Sequence, residues 1–127
     1  MGFAAVFPGQ GSQSVGMLAE LAEAFPTVES TFAEASEALG YDLWRVCREG
    51  PEEKLNSTEC TQPAMLAAGV AVWRVWREQG GAAPEIMAGH SLGEYSALVC
   101  ADGIAFSDAV ALVAARGRYM QLSLIHI

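Results

Sequence analysis

A chain of 127 residues with 52% hydrophobic and 17% charged residues has room for one domain with a real core, which excludes an intrinsically disordered protein. The net charge of −8, with seven basic residues scattered and none in a run, argues against a nucleic-acid partner. Three cysteines (Cys47, Cys60, Cys100) in no C-x-x-C spacing indicate neither a disulfide framework nor a zinc site; no metal is expected, and each reads as a small buried residue.

The N-terminus lacks a basic stretch before its apolar residues, and the longest apolar run, Ala64 to Trp73, is too short to span a bilayer. A cytoplasmic protein with no membrane partner is expected.

In chain order, Phe3-Ala4-Ala5-Val6-Phe7 is a continuous apolar run that reads as a buried strand of the parallel type. Pro8 to Gln13 follows as a Gly-rich loop. A helix is expected to carry Leu18, Leu21, Ala22 and Phe25 on one face until Pro26 stops it. The next helix repeats the spacing with Val28, Phe32, Ala35 and Leu39, closed by Gly40. Glu20, Glu23, Glu29, Glu34 and Glu37 fall on the outer faces of these two helices.

A short helical piece around Leu43 to Cys47 leads through Gly50-Pro51 into a polar stretch ending at Thr58. Gln62-Pro63 is read as the opening of the longest helix, with the proline in its first turn. Met65, Leu66, Gly69, Val70, Val72, Trp73 and Trp76 leave that helix little polar surface, so it belongs near the middle of the fold, with both tryptophans in the core. Gly80-Gly81 ends it. Glu85 to Ala88 reads as a second buried strand, and Leu92 onward as helix. Ser107-Asp108 is the expected N-cap of a last helix with Ala109, Leu112, Val113, Arg116 and Met120 along one side. Strands separated by helices indicate an α/β layered fold.

Between the second strand and its helix stands Gly89-His90-Ser91-Leu92-Gly93, a G-x-S-x-G motif. A serine on a tight strand-to-helix turn projects its hydroxyl above the sheet edge, and the glycines let the backbone crowd there. Ser91 is therefore the candidate nucleophile. The N–H of Leu92 sits at the helix start, aimed at any developing oxyanion. A base to take the proton of Ser91 is missing from the pattern. His90 leaves the turn in another direction, and His126 lies in the terminal hexapeptide, Leu122 to Ile127.

Gly9-Gln10-Gly11 resembles the start of a dinucleotide fingerprint, but Ser14 stands where the third glycine belongs and no Walker-type lysine follows, so nucleotide binding is not expected. In an open parallel sheet this loop and the elbow gather at one edge. The loop is then either a plain turn or the source of a second oxyanion donor, the N–H of Gln10. Arg116 is on the apolar stripe of its helix with no acidic residue one turn away in either direction. Either it snorkels past the helix end or it waits for an anion, as a fixed bidentate donor to a carboxylate would.

Together, Phe7-Pro8-Gly9-Gln10-Gly11-Ser12-Gln13, Thr61-Gln62-Pro63-Ala64, Gly89 to Leu98 and Arg116-Gly117 resemble the malonyl-CoA:acyl carrier protein transacylase family, in order from Phe3 to about Gln121. The resemblance implies a hydrolase-like parallel sheet with flanking helices. It implies a ping-pong transfer in fatty acid biosynthesis: Ser91 takes the malonyl group from malonyl-CoA as a seryl ester and passes it to the phosphopantetheine thiol of acyl carrier protein, with no cofactor. It assigns the N–H groups of Gln10 and Leu92 to the oxyanion hole and Arg116 to the malonyl carboxylate, with Gln62 near the substrate.

Members of that family are well over twice as long. Their second half carries a ferredoxin-like subdomain, the rest of the core and the activating histidine, so residues 1–121 are expected to be a partial acyltransferase domain, inactive or nearly so by itself. The match breaks after Gln121. Leu122-Ser123-Leu124-Ile125-His126-Ile127 is the translation of CTGTCTCTTATACACATC, the end of a transposase-based library adapter, and 122–127 is expected to be a non-native tail. Rival readings are a polyketide synthase acyltransferase using another extender unit, a serine esterase, for which Arg116 is hard to explain, and a non-catalytic module that keeps the elbow as scaffold.

Overall fold

The computed structural model describes residues 2–125, in which two parallel strands carry seven helices. Strand β1 (Ala4–Phe7) pairs with β2 (Ile86–Gly89) in the register Ala4 to Ile86 and Phe7 to Gly89. The connection between them holds α1 (Ala19–Ala24), α2 (Thr27–Leu39), α3 (Leu43–Glu49), α4 (Glu52–Leu55) and α5 (Thr58–Glu78). Helices α6 (Leu92–Cys100) and α7 (Phe106–Ile125) follow β2, and α7 runs past Gln121 without a break. The chain is a helix-rich α/β domain with a small parallel sheet.

Helix α5 is the centre, packed against α2, α6 and α7, and its face from Cys60 to Ala68 is buried throughout. The core gathers Val28, Phe32 and Ala35 of α2, Leu43 and Cys47 of α3, Leu66 and Val70 of α5, Leu92 of α6, and Ala109, Val110 and Val113 of α7. Phe32 and Trp44 pack with ring centroids 4.8 Å apart. All three cysteines are free and buried, as expected of small apolar residues. The five acidic residues of α1 and α2 are exposed; two of them still find partners, Glu29 accepting from the Trp44 indole at 3.2 Å and Glu34 pairing with Arg74 at 2.5 Å.

Several expectations are corrected. Neither strand is buried on both faces. Phe7, Ala5 and Met87 turn toward the helices, but Val6 is 73% exposed and Ile86 63%. Successive side chains of a strand alternate between faces, and helices cover one face of this pair only. Trp76 is not core: it is 47% exposed, edge-on to Phe3 with its indole N–H donating to the Ala82 carbonyl at 2.9 Å. Trp73 is partly buried.

Helix α5 begins at Thr58 rather than at Gln62-Pro63 and holds Pro63 in its second turn. Proline has no N–H to give there, but tertiary packing outweighs that loss where the whole face is buried. Helix α1 starts at Ala19 because Leu18 adopts a left-handed conformation at φ 64°. Helix α7 starts at Phe106, which puts Ser107 and Asp108 inside its first turn, and Leu112 is 46% exposed, off the buried stripe formed by Ala109, Val110, Val113 and Gly117. Among the described residues no helix is long and apolar enough to cross a membrane.

Candidate active site

The turn between β2 and α6 holds Ser91 at φ 55°, ψ −113°, a region that a residue with a Cβ rarely occupies. Backbone crowding enforces it. A Cβ on Gly89 would lie 2.0 Å from the Gly93 carbonyl, and one on Gly93 would lie 2.1 Å from the Phe7 carbonyl. The glycines of the motif are therefore the points where α6 presses on β2 and β1. The outcome is a Ser91 side chain that is exposed on the outer turn.

At the start of α6 the N–H of Gly93 donates to the His90 carbonyl at 3.0 Å and that of Glu94 to the Ser91 carbonyl at 3.1 Å. The N–H of Leu92, the first helical residue, has no intrahelical partner. The loop after β1 comes to the same edge: a Cβ on Gly9 would lie 2.8 Å from the His90 carbonyl. Gln10, the next residue, borders the same edge and is exposed there.

Helix α7 brings Arg116. Its neighbour Gly117 sits where α7 crosses α5, since a Cβ there would lie 2.7 Å from the Thr58 carbonyl and 3.1 Å from Cγ of Gln62. The close crossing puts the guanidinium against the elbow. Arg116 Nη2 donates to Ser91 Oγ at 2.9 Å, and Nη1 donates to Gln62 Oε1 at 2.5 Å. The guanidinium carbon stands 5.5 Å from the centre of the Tyr95 ring. Among the described residues no carboxylate pairs with Arg116. The half-buried guanidinium is thus held by an amide, a ring and a hydroxyl, all of them neutral.

Gln62 is buried beneath the site, and its Nε2 donates to Gln10 Oε1 at 3.1 Å. Gln10 Nε2 in turn donates to Thr58 Oγ1 at 3.4 Å. All five residues singled out in the sequence thus meet at one sheet edge. His90 is exposed beside the elbow, and among the described residues the Ser91 hydroxyl is paired with Arg116 rather than with a histidine. His126 lies outside the described residues.

Two neighbours are not among the residues that the sequence points to. Tyr95 supports Arg116 from the turn after Ser91; its spacing of four from the serine is the available signal. Thr58 lies four residues before Gln62, a relation that is informative only once α5 is known to start there. Among the described residues no group of three His, Cys, Asp or Glu could hold a metal ion.

The acyl transferase domain family matches residues 5–124. The chain belongs to this acyl transferase domain family. The acyl transferase domain is 69% identical over 119 residues to the malonyl CoA-acyl carrier protein transacylase of Salmonella typhimurium, covering 94% of this chain and 38% of that relative. Among solved structures, an acyl carrier protein S-malonyltransferase from Vibrio cholerae superposes with a TM-score of 0.94 at 63% identity, over 95% of this chain and 40% of that one. A malonyl-transacylase in complex with a type II PKS acyl-carrier protein superposes with a TM-score of 0.94 at 68% identity, over 95% of this chain and 39% of that one. The chain thus spans about two-fifths of the length of these relatives.

Proposed function

We propose that this acyl transferase domain belongs to an enzyme that moves a malonyl group from malonyl-CoA to the phosphopantetheine thiol of an acyl carrier protein in fatty acid biosynthesis. The relatives named malonyl transacylases support the reading, as does the similar transacylase solved in complex with its acyl-carrier protein. In the scheme Ser91 Oγ bonds to the thioester carbonyl carbon and gives up its proton, and the carbon–sulfur bond breaks with the electron pair leaving on coenzyme A sulfur. The carrier thiol then attacks the seryl ester, and Ser91 recovers a proton. The N–H groups of Leu92 and Gln10 are assigned to the tetrahedral oxyanion, and Arg116 to the malonyl carboxylate. The proton acceptor is assigned to a histidine outside this chain, together with the remainder of a hydrolase-like sheet. No resident cofactor enters the scheme.

The observation that carries the reading is Arg116, a cation without a carboxylate partner among the described residues, hydrogen-bonded to the candidate nucleophile. An esterase for neutral substrates has no use for it. The test is a chimera in which residues 1–121 replace the matching segment of the Salmonella typhimurium relative. Losing a two-pronged, charge-assisted contact of about 3–4 kcal/mol in Arg116→Ala lowers kcat/KM for malonyl transfer roughly 100- to 1,000-fold. Folding stability falls by about 1–3 kcal/mol, less than the loss in transfer, because the buried Gln62 Oε1 loses its donor. Unchanged malonyl transfer by Arg116→Ala would refute the assignment.

A further inference from the structure

Gln62 is only 1% exposed, too deep to touch an acyl group held above Ser91, yet both ends of its amide are in use by site residues. A guanidinium can only donate, so the oxygen of Gln62 must face Arg116 and its nitrogen must face Gln10. That fixes the next link: Gln10 turns its oxygen to Gln62 and its nitrogen to Thr58 Oγ1. One cation on α7 therefore sets the direction of every hydrogen bond in a row running from Ser91 through Arg116, Gln62 and Gln10 to Thr58.

We infer that Gln62 is a positioning residue that couples the carboxylate anchor to the oxyanion loop, acting through Arg116 on one side and Gln10 on the other. The inference rests on the malonyl-transfer reading for what the two ends do. With Nη1 of Arg116 engaged by Gln62, the fork is held with Nη2 on the elbow side, at Ser91 Oγ. The same amide restrains the side chain of Gln10 and with it the loop that presents the Gln10 N–H. Loss of Gln62 frees both at once.

A double-mutant cycle in the chimera tests this. Gln62→Leu keeps the volume and removes both hydrogen bonds, and it lowers kcat/KM for malonyl transfer about 30-fold. In an Arg116→Ala background the same substitution costs under about fivefold, because the arm it acts through is already gone. Gln10→Leu, at a loop position that keeps its backbone N–H, lowers kcat about fivefold with KM for malonyl-CoA little changed. Equal losses from Gln62→Leu in both backgrounds, or an unaltered kcat in Gln10→Leu, would overturn the inference.

Hydrogen exchange on the full chain gives a readout independent of turnover: Gln62→Leu speeds exchange of the amides at 9–12 several-fold, and no change there overturns the coupling. A wild-type chimera that transfers no malonyl, with exchange still responding to Gln62→Leu, would overturn the function and leave the coupling standing.

Discussion

Adding one methyl group at Gly93 sets two effects of opposite sign against each other. Gly93 is the second residue of α6, where alanine is a better helix former by about 1 kcal/mol. Its Cβ, however, would stand 2.1 Å from the Phe7 carbonyl oxygen and 2.9 Å from the carbon, against the 3.4 Å at which ordinary contact begins. Relief needs about 1.3 Å of displacement. Both sides of the clash are backbone, so no rotamer change can provide it. Overpacking of this kind costs about 3 kcal/mol or more, and the net is a loss of about 2 kcal/mol. The shift falls between β1 and the elbow, the joint that positions the Gln10 loop beside Ser91, and an error of about 1 Å in such a joint costs about 100-fold in rate. Urea unfolding of the chain measures the first effect, and labelling of Ser91 by a neutral fluorophosphonate in the chimera measures the second. A Gly93→Ala protein more stable than wild type would show that propensity wins and that the close approach does not govern the turn.

Ser96 Oγ is buried without a hydrogen-bond partner among the described residues, so Ser96→Ala should stabilise the chain by about 1 kcal/mol, read from the unfolding midpoint. Burial pushes the thiols of Cys47 and Cys100 up from 9.0 to about 12. Above pH 9 the unfolded chain therefore binds fewer protons than the folded one, and stability falls by about 1.4 kcal/mol per pH unit per thiol until about pH 12. Unfolding of Cys47→Ala across that window should show a shallower decline than wild type. Lysine at position 112 should change stability by less than about 0.5 kcal/mol, whereas lysine at 113 should abolish cooperative unfolding, because Leu112 is half-exposed and Val113 fully buried.

Much of the site is legible in the sequence before the fold is known. The G-x-S-x-G spacing calls for a turn too tight for Cβ atoms, and the contacts that Gly89 and Gly93 would make supply the reason. Arg116 stands out because an apolar stripe with an unneutralised cation is costly, and the structure gives that cation a hydroxyl, an amide and a ring but, among the described residues, no carboxylate. Thr58 is hidden by a boundary. Reading Pro63 as the helix opening removes the first turn of α5, and with it the four-residue relation between Thr58 and Gln62. The place of Tyr95 along α6 follows from periodicity, but its role beside Arg116 depends on how α7 crosses α5, which the pattern within one helix does not contain.

The misreadings of burial share a single physical cause. Hydrophobic spacing says which side chains would be better out of water; it does not say whether a neighbour arrives to cover them. Val6, Ile86, Val72 and Trp76 all read as interior residues, and all are substantially exposed. Phe3, Val6, Phe7, Met65, Val72 and Trp76 line one apolar groove of about 490 Å³ between β1 and α5. Covering so many apolar groups would contribute several kcal/mol at about 25 cal/mol per Å², and groups of this kind left in water are the usual mark of a contact surface. The site lies where the same elements do meet, at the joint of β1, β2, α5, α6 and α7. Its geometry is therefore fixed by packing within this chain, whatever covers the outer face of the sheet.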